Sequence, residues 1–427
     1  MGMGKSFALY GEGNSLELER LETVAQQVLS GILMVKFFVK DIKGVRMIRT
    51  YLKDGCFLKD IEEPALYDSK TDDIYLLSRE SFDRIRAMSD GESRDDEAAA
   101  LLEKEGLVQT EARRTAAWVG GSSPLPSLRY LELQITGRCD KRCRHCYLGP
   151  AAPVDMSAGE IGNILHEFEF MQGLKVMVSG GEPLCSPRFE EVLEVLEGRL
   201  LRTVLLTHGE KINSAMAENL AMFDQVQISL DGMEGGHDRL RGEGSFRRVV
   251  AGIEALQGEG VPVAVATMVH RGNMNDFKRL SRFIIDMGIT EWNIDIPCRS
   301  GRWAGGEEKD GTFLRAMAER LRFGFGGGYH GGADGLACGA HLMTVFPDGV
   351  AAKCGFYRER AVGYVREGLA GAWMKIDHLP LSGLQCGCDQ LEDCGGGCRF
   401  RAEVMTGEPL GPDVVQCLAR GVDWKKW

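Results

Sequence analysis

Residues 128–146 read L-R-Y-L-E-L-Q-I-T-G-R-C-D-K-R-C-R-H-C. A short apolar run, Tyr130 to Ile135, leads into three thiols within eight residues, Cys139, Cys143 and Cys146. Thiolates are soft ligands suited to zinc or to iron-sulfur iron. A closed zinc site needs four ligands, and this loop supplies three. A cuboidal 4Fe-4S cluster held by three cysteines keeps one iron free for another molecule, so the loop points to a catalytic cluster. The competing reading is a zinc knuckle with His145 as fourth ligand, although adjacent His145 and Cys146 fit poorly on one tetrahedral ion.

Outward from this loop the chain alternates strands and helices. Apolar runs at Tyr130–Ile135, Leu174–Val178, Thr203–Leu206, Gln225–Leu230, Val261–Met268 and Trp292–Ile296 read as six strands. Amphipathic stretches at Ala158–Met171, Arg188–Leu196, Phe246–Leu256 and Met274–Met287 are long enough to be crossovers of a parallel sheet. Six such units predict an α/β fold, a partial barrel over 128–325. Ligands in these folds gather at the carboxyl ends of strands, where the three cysteines fall.

The flanks have other textures. Over 47–120, "EEPALYDSKTDDIYLL" reads as two strands around a turn, with two helices in "SRESFDRIRAM" and "DDEAAALLEKEG". With Ser78 as an N-cap, this predicts a small winged-helix-like module, joined to the core by Gly120–Ser127. Residues 1–46 fit this plan poorly and are treated as an uncertain extension. Internal Met34 and Met47 make an overlong start a hypothesis that a native peptide beginning before Met34 would refute. The segment 326–427 is rich in glycine and carries seven cysteines in its last ninety residues. So loop-rich a segment is expected to be held together by metal.

Composition bounds the function. A net charge of -11 argues against a general nucleic-acid surface, with Arg138, Lys141, Arg142 and Arg144 a local exception. Thirteen cysteines in metal-like spacings within 427 residues point to reducing cytosol rather than a disulfide scaffold. No apolar run approaches the roughly 20 residues that span a bilayer, so no membrane association is expected. Val28–Val39 is short and contains Lys36, a poor signal peptide.

The cysteine triplet with His145 resembles the signature of the radical S-adenosylmethionine (radical SAM) superfamily. "SGGEP", Ser179 to Pro183, resembles the family's second motif, in which Gly180 and Gly181 let the backbone approach the ligand and Glu182 faces the methionine ammonium. "ISLDG" and "HDRLRG" place Ser229, Asp231 and Arg241 among the expected contacts to S-adenosylmethionine. At the third strand's end, Thr207-His208-Gly209 departs from the asparagine common in relatives, which leaves that polar contact open. The resemblance implies a 4Fe-4S cluster that cleaves S-adenosylmethionine reductively to a 5'-deoxyadenosyl radical, fed by an external flavodoxin- or ferredoxin-type donor.

Downstream, Cys338, Cys354, Cys386, Cys388, Cys394, Cys398 and Cys417 resemble the SPASM extension, which holds two auxiliary 4Fe-4S clusters. Carried over by position, Cys338, Cys354 and Cys398 serve the first, and Cys386, Cys388, Cys394 and Cys417 the second. Relatives have two residues between the first pair of the quartet, whereas Gly387 alone separates Cys386 from Cys388, making Cys386 the least secure ligand. The first auxiliary cluster lacks a fourth ligand: Cys298 is a candidate, but it reads as a small buried hydrophobe, as do Cys56 and Cys185. A zinc ribbon is the alternative for the set. The module at 47–120 resembles the PqqD-like peptide-chaperone fold, with a plain helical packing domain as the alternative.

A cytoplasmic enzyme modifying a peptide or protein substrate is therefore expected, with Asp295 and Glu291, assigned to the end of the sixth strand, as candidate bases. The other readings are a radical enzyme acting on a small molecule or metal cofactor in maturation, and a non-catalytic electron carrier or binding module.

Overall fold

The computed structural model describes residues 51–89, 96–109, 116–303, 311–326 and 335–423. The extension at 1–46 and both alternative starts lie outside the described residues.

The first part of the chain forms β1 (Tyr51–Leu52), β2 (Cys56–Asp60), β3 (Pro64–Asp68), β4 (Asp73–Leu76) and β5 (Val108–Gln109). β2, β3 and β4 make an antiparallel meander, and β1 pairs with β5. Helices at Arg79–Ser89 and Asp96–Lys104 lie between β4 and β5. Ser78 caps the first of them, its Oγ accepting from Ser81 N at 3.1 Å. Phe82, Ile85 and Met88 recur at three-residue spacing and bury one helix face against Leu52, Leu58 and Leu66. Cys56 belongs to the same core.

The central sheet contains β6 (Tyr130–Thr136), β7 (Lys175–Gly180), β8 (Arg202–Thr207), β9 (Gln225–Ser229), β10 (Val263–Met268) and β11 (Glu291–Asp295), parallel and in sequential order. Leu131, Leu133, Val176, Val178, Val226, Ile228, Val265 and Trp292 alternate along these strands and share one core with Phe168, Leu256 and Ile284 of the crossover helices. Glu132, Gln134, Ser179, Gln227 and Asn293 occupy alternate positions, so the opposite face of the sheet combines these polar groups with an apolar cluster of Met177, Val204 and Leu342.

Residues after 326 also form part of this sheet, which the irregular texture of that segment conceals. β12 (Leu342–Val345) pairs in parallel with β6, and β13 (Val350–Ala352) and β14 (Gly363–Tyr364) follow antiparallel, giving nine strands. Three strands of two to four residues are too short to carry a legible period. They set the C-terminal cysteines beside the strand that carries the first cysteine loop.

The N-terminal part packs on the core through polar contacts. Glu62 accepts from Ser127 N at 2.7 Å and pairs with Arg129 at 2.6 Å. Lys70 pairs with Asp224 at 2.5 Å. Buried Lys59 donates to the carbonyls of Gly173 and Leu200 at 2.6 and 2.8 Å.

Candidate active site

The cysteine loop begins where β6 ends. Thr136 Oγ1 donates to Asp155 Oδ1 at 2.5 Å and accepts from Arg138 N, while Arg138 Nε donates to Asp155 Oδ2 at 2.7 Å. Asp155 thereby fixes the strand end and the loop's first turn. Within the loop, Lys141 N donates to Cys139 Sγ at 3.4 Å. Burial pushes the Cys143 thiol up, with the Arg241 guanidinium opposing. A bound cation would supply the charge that favours thiolate there.

The Gly-Gly-Glu turn lies directly on this loop. Gly181 N donates to Thr136 O and Glu182 N to Arg138 O, both at 2.8 Å. A Cβ at Gly181 would sit 2.4 Å from Arg138 O, and Gly180 adopts φ 152 with a Cβ position 2.5 Å from Thr136 O. Only glycine permits that approach.

Glu182 is buried and its carboxylate is well occupied. It accepts from Thr207 Oγ1 at 2.7 Å, His208 N at 2.9 Å and Leu184 N at 3.1 Å, fastening the β7 loop to the end of β8. His208 Nδ1 accepts from Glu210 N, so Nε2 carries the proton and donates to Asp140 Oδ1 at 3.0 Å. The polar contact left open at this strand end is therefore a tie to the cysteine loop. Cys185 also meets Asp140, its Sγ donating to Oδ1 at 3.5 Å.

A second network closes the other side. Asp231 is fully buried after β9, accepting from Met268 N at 2.7 Å and pairing with Arg241. Burial disfavours its charge, but Arg241, His145, His237 and the Met268 N–H together outweigh this and hold the carboxyl well below its usual range. Arg241 in turn donates to His145 Nε2 at 3.3 Å and reaches Cys143 Sγ at 4.0 Å. His145 Nδ1 is buried and has no hydrogen-bond partner among the described residues. The His145 ring thus presents Nε2 to Arg241 and leaves Nδ1 unpartnered.

The C-terminal cysteines fall into two groups. Cys386, Cys388, Cys394 and Cys417 line one cavity, with Arg420 at its wall. Gly396 N donates to Cys394 Sγ at 3.3 Å. In the other group, Cys298, Cys338, Cys354 and Cys398 lie near one another, and burial together with the neighbouring Cys398 sulfur pushes the Cys298, Cys338 and Cys354 thiols up. Cys298, read from sequence as a small buried hydrophobe, is buried among cysteines. Among the described residues, no three His, Cys, Asp or Glu side chains converge on a single ion-sized point.

Residues 133–284 match the radical SAM superfamily. Mycofactocin maturase MftC of Mycobacterium ulcerans (strain Agy99) is 31% identical over 323 residues, covering 66% of this chain and 86% of the relative. This chain belongs to the radical SAM superfamily. PqqA peptide cyclase of Ruegeria pomeroyi (strain ATCC 700808 / DSM 15171 / DSS-3) is 26% identical over 344 residues, covering 69% of this chain and 90% of that protein. Among solved structures, Streptococcus suis SuiB bound to S-adenosylmethionine superposes with a TM-score of 0.61 at 15% identity, over 84% of this chain and 98% of that one. SuiB bound to its precursor peptide SuiA superposes with a TM-score of 0.59 at 14% identity, over the same shares.

As a radical SAM enzyme, the chain carries a 4Fe-4S cluster and S-adenosylmethionine by family membership. Three thiols on one loop, a nearby orphan imidazole nitrogen and a glycine cradle fit those groups. One sequence expectation needs correcting. Glu291 opens β11 rather than ending it, so it stands roughly 13 Å from Asp295 along the strand. There it accepts from Gln225 and Asn293. Asp295 does end β11, but its Oδ1 accepts from Arg401 at 2.7 Å and from Ile296 N. Neither carboxylate stands free as a base. Asp140, Arg401 and Asp413 escaped the sequence reading because their roles depend on partners remote in the chain.

Proposed function

We propose that this chain cleaves S-adenosylmethionine reductively and uses the resulting 5'-deoxyadenosyl radical to modify a peptide or protein. The observation that carries this reading is the Gly-Gly-Glu turn bonded to the cysteine loop in a chain that covers 86% of a mycofactocin maturase relative. When bound, the cluster supplies the electron for that cleavage. Cys139, Cys143 and Cys146 hold it, and the Asp140–His208 and Asp231–Arg241 contacts hold the loop. Gly180 and Gly181 hold this turn against the cysteine loop, and Glu182 and Ser229 would offer S-adenosylmethionine polar groups there.

In the same reading, 128–325 is the partial barrel and 326–427 the SPASM segment, with Cys386, Cys388, Cys394 and Cys417 holding one auxiliary cluster and Cys338, Cys354 and Cys398 contributing to the other. Residues 47–120 are a PqqD-like peptide-recognition module. Its supporting feature is β4, the terminal strand of the β2–β3–β4 sheet with Leu76 57% exposed, an edge of the kind to which peptides add as strands. The protein would work in the cytoplasm with a flavodoxin- or ferredoxin-type donor. Among the described residues, no helix is long and apolar enough to cross a membrane.

The test is anaerobic incubation of the reconstituted chain with S-adenosylmethionine and dithionite. 5'-Deoxyadenosine should form, and Cys139→Ala should abolish it. Adding short peptides encoded beside the gene should yield one of altered mass; consumption of a metal cofactor or small molecule instead would overturn the peptide assignment.

A further inference from the structure

Seven downstream cysteines leave the first auxiliary cluster with three ligands, which would keep one of its irons open. The loop after β11 changes that count. It carries Cys298, 8% exposed, from Asp295 at the strand's end toward the helix Arg399–Thr406, whose N-cap is Cys398. An ion pair pins the two elements together: Arg401, three residues past Cys398, donates to Asp295 Oδ1 at 2.7 Å, three residues before Cys298. Arg401 is itself locked by Asp413 at 2.7 Å, and Asp413 Oδ2 accepts from Cys398 N at 2.8 Å. The backbone after Cys298 is also set, since Ser300 N donates to Cys298 O at 2.7 Å. Four residues on, Arg302 N donates to Cys146 O at 2.9 Å, so one short segment touches both cysteine groups.

We infer that Cys298 is the fourth thiolate ligand of the first auxiliary cluster, together with Cys338, Cys354 and Cys398, so that this cluster has no open iron. The inference rests on the auxiliary-cluster reading above. It assigns the site a function: a fully ligated cluster exchanges electrons through its shell, whereas an open iron would bind substrate directly. Arg401 fits such a site by position, paired with Asp295 on one side and with Asp413 on the other.

The test uses the full chain with Cys139→Ala, Cys143→Ala and Cys146→Ala, which removes the first cluster and leaves the auxiliary pair for spectroscopy. Reconstituted anaerobically, this variant should hold about eight irons per chain. After reduction, its electron paramagnetic resonance spectrum should show no hyperfine coupling to added ¹³C-cyanide. Adding Cys298→Ala should either open one iron, with ¹³C coupling appearing, or reduce the content to about four irons. Cys298→Ser, which retains an oxygen ligand, should restore the iron count with shifted g-values and no cyanide coupling, separating loss of a ligand from failure to fold. Cyanide coupling before Cys298 is changed, or an unaltered spectrum and iron count after Cys298→Ala, would overturn the ligand assignment. A triple variant with no iron at all would instead overturn the auxiliary-cluster reading itself.

Discussion

His208 Nε2 donates to Asp140 Oδ1 at 3.0 Å, joining the loop after β8 to the residue that follows Cys139, the first thiol of the cysteine loop. Because His208 Nδ1 accepts from Glu210 N, the imidazole presents its donor to Asp140 without rearrangement. A hydrogen bond to a charged group contributes about 1.5–3 kcal/mol. His208→Ala should therefore loosen the loop, with amide exchange across 139–146 accelerating at least about tenfold and less iron retained. Asp140→Asn preserves an acceptor oxygen and should have a smaller effect. Equal exchange in wild type and His208→Ala would mean that the contact does not hold the loop.

The contact between Gly181 and Arg138 O is less forgiving. A Cβ at 2.4 Å from a backbone oxygen forces either the turn or the cysteine loop to move. Gly181→Ala should lower 5'-deoxyadenosine formation by about a hundredfold or more, the scale of loss expected when a reacting group shifts by about 1 Å. Gly258→Ala is the control: that glycine ends the helix Ser245–Gly258, with nothing within 4 Å of its Cβ position. It should leave turnover unchanged and raise stability by up to about 1 kcal/mol. Similar turnover in both variants would argue against the close approach.

Sequence legibility follows the physics of each part. The six parallel strands were readable because apolar residues recur along each of them between helix-length amphipathic stretches. Cys139, Cys143, Cys146 and the Gly-Gly-Glu turn were readable because their spacing is local. Cys298 was legible only as a candidate, since a buried thiol in a loop has the same local signature as a packing residue; the Arg401–Asp295 ion pair, which ties its loop to the helix capped by Cys398, distinguishes it. Glu291 was misplaced for a different reason. Boundary errors of a few residues matter little for a helix, but in a five-residue strand they exchange one end of the sheet for the other.

Lys59 offers a pH-dependent readout of how the N-terminal module packs. Its amine is 3% exposed, and burial lowers its pKa to about 7 against the pull of Glu169. Between that value and the unfolded value of about 10.4, the unfolded chain holds a proton that the folded chain does not, so stability rises with pH. Below about pH 7 both states are protonated and the burial penalty is present in full. From pH 7 to 9 the wild type should gain about 2 kcal/mol relative to Lys59→Met, a slope of up to ~1.4 kcal/mol per pH unit. Urea unfolding followed at both values checks this; a constant difference would show that Lys59 stays charged in the fold.

The single-residue spacer between Cys386 and Cys388 makes a final prediction, because the spacing of the resembled motif makes Cys386 the least secure ligand while the folded site sets it beside Cys388. Adjacent positions in an extended chain send side chains to opposite faces, and positions two apart send them to the same face. Cys386 and Cys388 are two apart, and both line the cavity shared with Cys394 and Cys417. A one-residue spacer is therefore compatible with two thiols facing one space, provided the chain there stays extended rather than turning. Cys386→Ala and Cys417→Ala should then have equivalent effects, each losing a cluster of about four irons while leaving 5'-deoxyadenosine formation intact. A Cys386→Ala variant that retains all the iron of the wild type would remove Cys386 from the ligand set and leave that cluster held by three cysteines.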